Sequence, residues 1–139
     1  MQKVRIAVVG LGTVGQSVHL PILSKIPEVE IVAVCDLEAS KAEFVAKKYE
    51  IPRYYSDLQK MLKSEEELDG VDICTSTFSH LDAAVSALDA KKHVLVEKPL
   101  ARTYEEALKI VNAAKKNQRK LMVGMNNRFR PDAMILKSM

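Results

Sequence analysis

Three glycines at a fixed spacing follow an apolar run near the start of the chain. The run Val4–Val9 has the β-branched composition of a strand, and a helical pattern begins after the glycines. In the order strand, G-x-G-x-x-G, helix, the glycines permit a tight turn, close approach by a pyrophosphate and close packing of the helix on the strand. The freed N–H groups and the helix dipole favour an anion at that turn. The sequence predicts a phosphate-binding turn made by Gly10, Gly12, Thr13, Val14 and Gly15.

Apolar runs alternate with helical patterns along the rest of the chain. Strands are predicted at 4–9, 31–35, 53–55, 71–74, 93–96 and 121–123, and helices at 13–25, 39–49, from 56, at 79–88 and at 103–116. Alternation of this kind is typical of a parallel sheet with helices on both faces. Right-handed crossovers leave few doubly wound strand orders. We expect an α/β Rossmann domain with the order 3-2-1-4-5-6.

Local signals mark where several of these helices begin or bend. The predicted starts are Ser56 with Gln59 as a capping box, Ser79 as an N-cap, and Thr103 with Glu106 as a second capping box. Pro21 lies inside the first helix, and because proline lacks an N–H it is expected to bend or interrupt that helix.

Asp36 ends the second predicted strand, about 20 residues beyond the last glycine. An acid at that place accepts hydrogen bonds from the adenosine ribose, although turn residue and helix N-cap are alternative roles. A carboxylate repels a 2′-phosphate, and Glu38 adds negative charge, while Lys41 is the nearest following cation. The sequence therefore predicts NAD in preference to NADP.

The composition argues against several classes of protein. Of the 139 residues, 47% are hydrophobic and 28% charged, and the net charge is +3. The basic residues are dispersed, so no nucleic-acid partner is expected. No apolar run reaches membrane-spanning length, so no membrane partner is expected. The first residues lead into a strand rather than a signal-peptide core, which indicates a cytoplasmic protein.

The cysteines and two of the three histidines show no pattern of a reactive site. Cys35 and Cys74 each lie near the end of a predicted strand. In the expected order, the first strand lies between the two strands that contain these cysteines. The cysteines are then two strand spacings apart, about 9.5 Å, which is too far for a disulfide. They are predicted to be buried free thiols in a reducing compartment. No metal site is expected, because no His, Cys, Asp or Glu grouping has ligand spacing, and His19 and His93 are expected to be structural.

Two further loops are predicted to reach the same sheet edge as the glycine turn. Ligands of doubly wound sheets bind at the carboxyl ends of the strands, near the switch point. One loop follows the fourth strand and ends at His80, which either borders the site or begins a helix. The other is Glu97-Lys98-Pro99, where the proline favours an extended Lys98. A lysine there can orient a substrate hydroxyl or donate a proton, and the alternative is a solvated lysine.

These residues together resemble the family of glucose–fructose oxidoreductase, inositol dehydrogenase and the rhizopine catabolism protein (Gfo/Idh/MocA). The resemblance is carried by Gly10-x-Gly12-x-x-Gly15, Val34-Cys35-Asp36, Thr75 with His80, Glu97-Lys98-Pro99-Leu100-Ala101, and Gly124 with Asn127-Arg128-Phe129-x-Pro131. It covers the whole chain, and the Glu-Lys-Pro segment is its specific part. The chain departs from the family where members usually carry Thr-Pro-Asn, since it has Thr75-Ser76-Thr77.

The resemblance implies two domains and a set of site residues. Residues 1–125 would form the dinucleotide-binding domain. Residues 126–139, with a helix after Pro131, would begin the connection to an α/β domain that supplies most of the substrate pocket and the interface of a homo-oligomer. Lys98 would be catalytic or contact the substrate. The implied cofactor contacts are Thr75, Ser76, Thr77, His80, Glu97 near the nicotinamide ribose, Lys98, and Asn127 and Arg128 near the nicotinamide end.

The expected function is that of an NAD-dependent oxidoreductase acting on a small molecule. Hydride would pass between nicotinamide and a hydroxyl-bearing carbon of a sugar, cyclitol or polyol-like substrate. The 139-residue chain alone is expected to bind cofactor and to turn over poorly. Two alternatives stay open, a non-catalytic NAD(H)-sensing or nucleotide-binding module, and a relative that cleaves glycosides by transient oxidation.

Overall fold

A single parallel sheet of six strands organises the protein. The computed structural model describes residues 2–139, so that Met1, part of the predicted domain 1–125, lies outside it. The strands are β1 Val4–Val9, β2 Val29–Cys35, β3 Arg53–Tyr55, β4 Gly70–Ile73, β5 His93–Glu97 and β6 Leu121–Gly124. All pairings are parallel, and the order is β3-β2-β1-β4-β5-β6. The predicted Rossmann order is confirmed.

Helical segments connect the strands at the predicted places. They are a π-helical turn Gly15–His19 that continues into α1 Leu20–Leu23, α2 Ala39–Lys48, α3 Leu58–Ser64, α4 His80–Asp89, α5 Tyr104–Asn117 and α6 Pro131–Ser138. Two short 3₁₀ turns, Thr77–Ser79 and Asn126–Phe129, precede α4 and α6. Ser79 is the N-cap residue of α4, as predicted, although its hydroxyl makes no capping bond.

Both faces of the sheet are covered, as the alternation predicts. On one face, α3, α4 and α5 bury Met61, Leu88 and Ile110 against the strands. On the other, α1 and α2 bury Leu20 and Val45. Each such side chain contributes about 1.5–3 kcal/mol of hydrophobic stabilisation relative to an exposed position. The sheet is therefore a rigid platform that fixes where its loops begin.

The register of the central strands brings three loops to one edge. Val9, the last residue of β1, is paired with Cys35 on β2 and with Ile73 on β4. The chain consequently leaves all three strands at the same level. The residues that follow, Gly10, Asp36 and Cys74, lie side by side where the strand order reverses, which is the ligand position of doubly wound sheets.

Pro21 is accommodated by a wide turn rather than by a break. In the π-helical turn the N–H of Leu20 donates to the carbonyl of Gly15, five residues back. A wider turn leaves space for the proline ring and avoids the clash expected in a regular α-helix. The carbonyl of Gln16 accepts a hydrogen bond from the Tyr49 hydroxyl at 3.3 Å instead of a helical N–H. The first helix is thus reshaped at Pro21, in agreement with the prediction.

Two predicted helix starts differ in detail. The prediction of a start at Ser56 is wrong, because the N-cap of α3 is Asp57, whose carboxylate accepts from the N–H three residues on at 2.8 Å. A charged acceptor at this place also interacts favourably with the helix dipole. Thr103 caps α5 through the N–H of Glu106 at 3.2 Å, as predicted. The Glu106 side chain bonds to Arg102 instead of returning to Thr103, so that only half of that capping box forms.

Both cysteines are free and buried, which confirms that part of the prediction. Burial raises the pKa of the Cys35 thiol to about 11 and raises that of Cys74 above its usual value. Both thiols are therefore protonated near neutral pH, a state that makes them poor nucleophiles.

The last helix is present but covers nothing. α6 follows Pro131 as expected, and none of its residues is buried. Its side chains Met134, Ile135 and Leu136 are each more than half exposed. None of the helices in the described range 2–139 combines the length and apolarity needed to cross a bilayer.

Candidate functional site

The glycine turn has the tight geometry that its spacing predicts. Gly10 has φ +89°, and a Cβ there would lie 2.6 Å from the backbone nitrogen of Thr75. A Cβ on Gly15 would lie 2.4 Å from the carbonyl oxygen of Gly10. Neither position has room for a side chain, because backbone atoms of the loop after β4 and of the glycine turn itself lie where the Cβ atoms would be. The first and third glycines therefore hold the turn closely against the sheet.

Gly12 is different, because open space lies where its side chain would be. No heavy atom is within 4 Å of the Cβ position at Gly12. The backbone there faces a cavity of about 440 Å³, a size typical of ligand pockets. A pyrophosphate approaching the start of the helix would meet bare backbone and the positive end of the helix dipole. The residues present thus fit a dinucleotide phosphate.

The Asp36 carboxylate is fixed at the rim of this cavity. Its Oδ2 accepts the N–H of Leu11 at 2.9 Å, and its Oδ1 accepts the N–H of Glu38 at 2.9 Å. Each carboxylate oxygen accepts more than one hydrogen bond, so both oxygens can also receive ribose hydroxyls. Lys41 places its Nζ 3.9 Å from Oδ1 and 3.3 Å from Glu38 Oε2.

The cavity wall contains some of the predicted residues and several others. Of the predicted cofactor contacts it includes Gly10, Gly12, Asp36, Thr75 and Ser76. Polar residues that the sequence analysis did not single out for the site are Ser56, Gln59, Ser79, Asp82 and Ser86. Ser56 and Ser79 follow the carboxyl ends of β3 and β4, so the rule that ligands bind at strand ends, applied to every loop, would have found them. Thr13 and Val14 are exposed in the first helical turn beside the cavity.

His80 lies behind the cavity rather than in its wall. It is 1% exposed, and its ring nitrogens are 2.8 Å from the Pro99 carbonyl oxygen and 3.1 Å from that of Thr75. It thereby connects the loop after β4, including Thr77, with the Glu97-Lys98-Pro99 loop, whose Lys98–Pro99 bond is cis.

The Glu97-Lys98 segment is at the same sheet edge, one strand beyond β4. Glu97 Oε2 accepts the backbone N–H of Lys98 at 2.9 Å. The Lys98 side chain is exposed, and among residues 2–139 no hydrogen bond or ion pair engages its ammonium group. Asn127 and Arg128 are also exposed, in the 3₁₀ turn that follows β6. These side chains are available to a ligand that extends from the cavity toward β5 and β6.

His19 connects two carboxylates and is the main site feature that the sequence analysis missed. Its Nδ1 is 2.7 Å from Asp72 Oδ2 on β4, and its Nε2 is 2.8 Å from Glu97 Oε1 on β5. Local pattern gives no signal for these contacts, because the partners are 53 and 78 residues away. Cys74 approaches the same group, with Sγ 3.7 Å from Asp72 Oδ1. His93, by contrast, accepts the N–H of Lys120 and is structural, as expected.

The His19 contacts predict a pH dependence of stability. Hydrogen bonding to Asp72, with contributions from Cys74 and Glu97, raises the pKa of His19 from 6.5 to about 11. Because the pKa in the folded state exceeds that in the unfolded state, this stabilisation is fully present below pH 6.5 and is lost as pH rises toward 11. Urea unfolding at several pH values between these limits should show a falling free energy of unfolding. In His19→Gln the decline should be smaller, and an equal decline in both proteins would contradict the assignment.

Comparison with known proteins identifies the family. The model of the oxidoreductase family with an NAD-binding Rossmann fold matches residues 4–125. Inositol 2-dehydrogenase of Salmonella typhimurium is 33% identical over 133 residues, 94% of this chain and 39% of that protein. D-glucoside 3-dehydrogenase of Escherichia coli is 34% identical over 133 residues, 96% of this chain and 38% of that protein.

A solved structure extends the likeness to three dimensions. The WlbA dehydrogenase of Chromobacterium violaceum, in complex with NADH and UDP-GlcNAcA, superposes with a TM-score of 0.92 and 29% identity. The superposition covers 99% of this chain and 39% of that one. The chain therefore spans about 40% of the length of the relatives it matches. From the glycine turn, the strand order and these matches together, the chain belongs to the oxidoreductase family with an NAD-binding Rossmann fold.

Proposed function

We propose that this chain is the NAD-binding domain of a dehydrogenase that oxidises or reduces a hydroxyl-bearing carbon of a sugar, cyclitol or polyol-like small molecule. The observation that carries the proposal is the shared sheet edge of the glycine turn, Asp36 and the Glu97-Lys98 segment. Inositol and glucoside dehydrogenases among the relatives support the substrate class. The bound nicotinamide would supply hydride transfer, and the chain would supply binding, orientation and proton movement.

The cofactor would extend from the cavity along the carboxyl ends of the strands. The pyrophosphate would lie on Gly10 and Gly12, and the adenosine ribose would donate to Asp36. Thr75 and Ser76 line the adjoining wall. Backbone contacts to the cofactor, or the shape of the pocket around it, would come from Thr13, Val14, Gly15 and Thr77. The nicotinamide half would be contacted by Asn127, Arg128 and Glu97. Lys98 would then adjoin the reacting carbon, orienting the substrate hydroxyl and moving its proton.

Asp36 also supports NAD in preference to NADP. Its carboxylate is pinned at the cavity rim by two backbone N–H groups, and it cannot swing away from an incoming 2′-phosphate. Lys41 is the nearby cation, but its ammonium group already lies beside Asp36 and Glu38. The local balance of these three charges is −1, which opposes a dianionic phosphate.

The preference is tested by removing the Asp36 charge. Asp36→Asn keeps a side-chain acceptor for the Leu11 N–H but removes the repulsion and one charged ribose acceptor. NADH affinity should fall about tenfold, and the NADPH-to-NADH affinity ratio should rise, as measured by fluorescence titration. Glu38→Gln is the matched control, since it removes a charge nearby without touching the glycine turn, and it should leave NADH affinity nearly unchanged. Tighter NADPH than NADH binding by the unmodified protein would overturn the preference.

The remainder of the active site is proposed to lie outside these residues. The exposed apolar side chains of α6 support a role for residues 126–139 as the connection to a second domain that shapes the substrate pocket. The relatives' greater length is consistent with this arrangement. A homo-oligomer is part of the same proposal, as is a cytoplasmic location, which the buried free thiols Cys35 and Cys74 support.

A further inference from the structure

One histidine joins the buried part of the sheet to the Glu97-Lys98 corner. His19 lies between Asp72 Oδ2, at 2.7 Å from its Nδ1, and Glu97 Oε1, at 2.8 Å from its Nε2. Two carboxylate oxygens accept and do not donate, so both ring nitrogens must carry a proton for both bonds to form. A neutral imidazole can make only one of the two. The geometry therefore contains an imidazolium held between two carboxylates.

Asp72 is the fixed end of this arrangement. It is 3% exposed on the central strand β4, and a buried carboxylate needs a positive partner or donors to offset its desolvation. Its Oδ2 contacts His19, and its Oδ1 accepts weakly from the Cys74 thiol at 3.7 Å. The charge of Asp72 thus keeps His19 protonated, and strand β4 holds Asp72 in place.

Glu97 connects His19 to the backbone of Lys98. Its Oε1 is held by His19, and its Oε2 accepts the N–H of Lys98 at 2.9 Å. Gly124 on β6 leaves the room that the carboxylate needs, since a Cβ there would lie 3.3 Å from Oε1. Two hydrogen bonds, one to each oxygen, therefore fix the carboxylate and, through it, the backbone from which the Lys98 side chain extends.

We propose that His19 is a positioning residue, which anchors Glu97 on Asp72 and thereby fixes the Glu97-Lys98 corner for cofactor and substrate. The inference rests on the proposed function of that corner. The wide π-helical turn contributes to this positioning, because it ends at His19 and sets the direction in which the imidazole ring projects from the helix. π-Helical turns are frequent at functional sites, where they re-aim side chains.

A bound metal ion is the competing explanation of the same cluster. His19, Asp72 and Cys74 bring one candidate ligand atom each to within 4.8 Å of one another. In the structure, however, His19 Nδ1 and Asp72 Oδ2 are in direct hydrogen-bond contact, which a shared proton satisfies without an ion. Asp72 and Cys74 are also only 3% and 9% exposed, whereas the ligands of an open metal site are accessible from solvent.

The test is the pH profile of NADH affinity in an Asp72→Asn variant of the full-length protein. Without the Asp72 charge, His19 should lose its proton near the ordinary histidine range, about pH 6.5, and then hold Glu97 only through one neutral contact. In the unmodified protein, NADH affinity should be nearly constant from about pH 6 to 9. In Asp72→Asn it should fall about tenfold over that range, the effect of losing one charge-assisted hydrogen bond.

Control variants separate positioning from a general loss of stability. Glu65→Gln removes another buried carboxylate, one paired with Arg53 and Tyr55 near β3, and should lower stability without creating a pH-dependent affinity. His19→Gln should show weak NADH binding at every pH in the range. Identical pH profiles for Asp72→Asn and the unmodified protein would overturn the inference, as would a one-to-one zinc complex that His19→Gln abolishes. Absence of NADH binding by the unmodified protein would instead reject the proposed function.

Discussion

Replacing Gly12 with alanine is expected to leave the protein folded and to remove most of its NADH affinity. No heavy atom lies within 4 Å of the Cβ position, and Gly12 does not have a positive φ, so alanine is tolerated. The free energy of unfolding should be unchanged or higher by up to about 1 kcal/mol, since alanine restricts the unfolded chain. The new methyl group would occupy the space through which the pyrophosphate reaches the backbone. We expect NADH affinity to fall at least about tenfold in a fluorescence titration.

Gly10→Ala is the matched comparison, because it is expected to lower the stability of the fold, which Gly12→Ala leaves intact. Its φ of +89° is unfavourable for alanine, and the Cβ would lie 2.6 Å from the Thr75 nitrogen. Strain and overlap with backbone should lower the free energy of unfolding by more than about 2 kcal/mol in urea denaturation. If Gly12→Ala instead unfolded the protein, or bound NADH normally, the assignment of the second glycine to the phosphate would fail.

The parts of the fold that depend on local pattern were predictable from the sequence. Strand β1 and the glycine turn follow from a six-residue run in which five residues are β-branched or apolar, and from three glycines; the alternation of elements leaves few strand orders. One helix start was predicted one residue early, because neighbouring polar residues compete as caps. Ser56 and Asp57 are adjacent, and only the three-dimensional path of the chain decides in favour of Asp57.

The contacts that complete the site were not predictable, because they join distant segments. His19 meets Asp72 and Glu97 only after β4 and β5 are placed beside β1 in the sheet. Sequence spacing can identify a metal or capping pattern within a few residues, but it carries no information on pairs that the crossovers bring together. From the sequence, His80 either borders the site or begins a helix; it is the first residue of α4, and its burial and its bonds to Thr75 and Pro99 are visible only in the folded chain.

Lys98 is expected to be needed for turnover and not for cofactor affinity. Its ammonium group is exposed at the sheet edge, while its backbone is held by Glu97, so the side chain is free to meet a substrate hydroxyl. Loss of a positioned general acid or base typically costs on the order of 10²- to 10⁴-fold in rate. On the proposed function, Lys98→Ala in a protein that carries the proposed second domain should lower kcat with NAD and a polyol substrate, tested with myo-inositol, by that amount. NADH titration of the same variant should give nearly the unmodified Kd.

Two further variants decide what the lysine supplies. Lys98→Arg keeps the positive charge but does not release a proton readily, so it should restore little turnover if proton transfer is the role, and most of it if charge alone matters. Lys115→Ala removes an exposed lysine on α5 and should change neither quantity. Full turnover in Lys98→Ala would reject a catalytic lysine. Loss of NADH affinity would show that Lys98 acts on the cofactor.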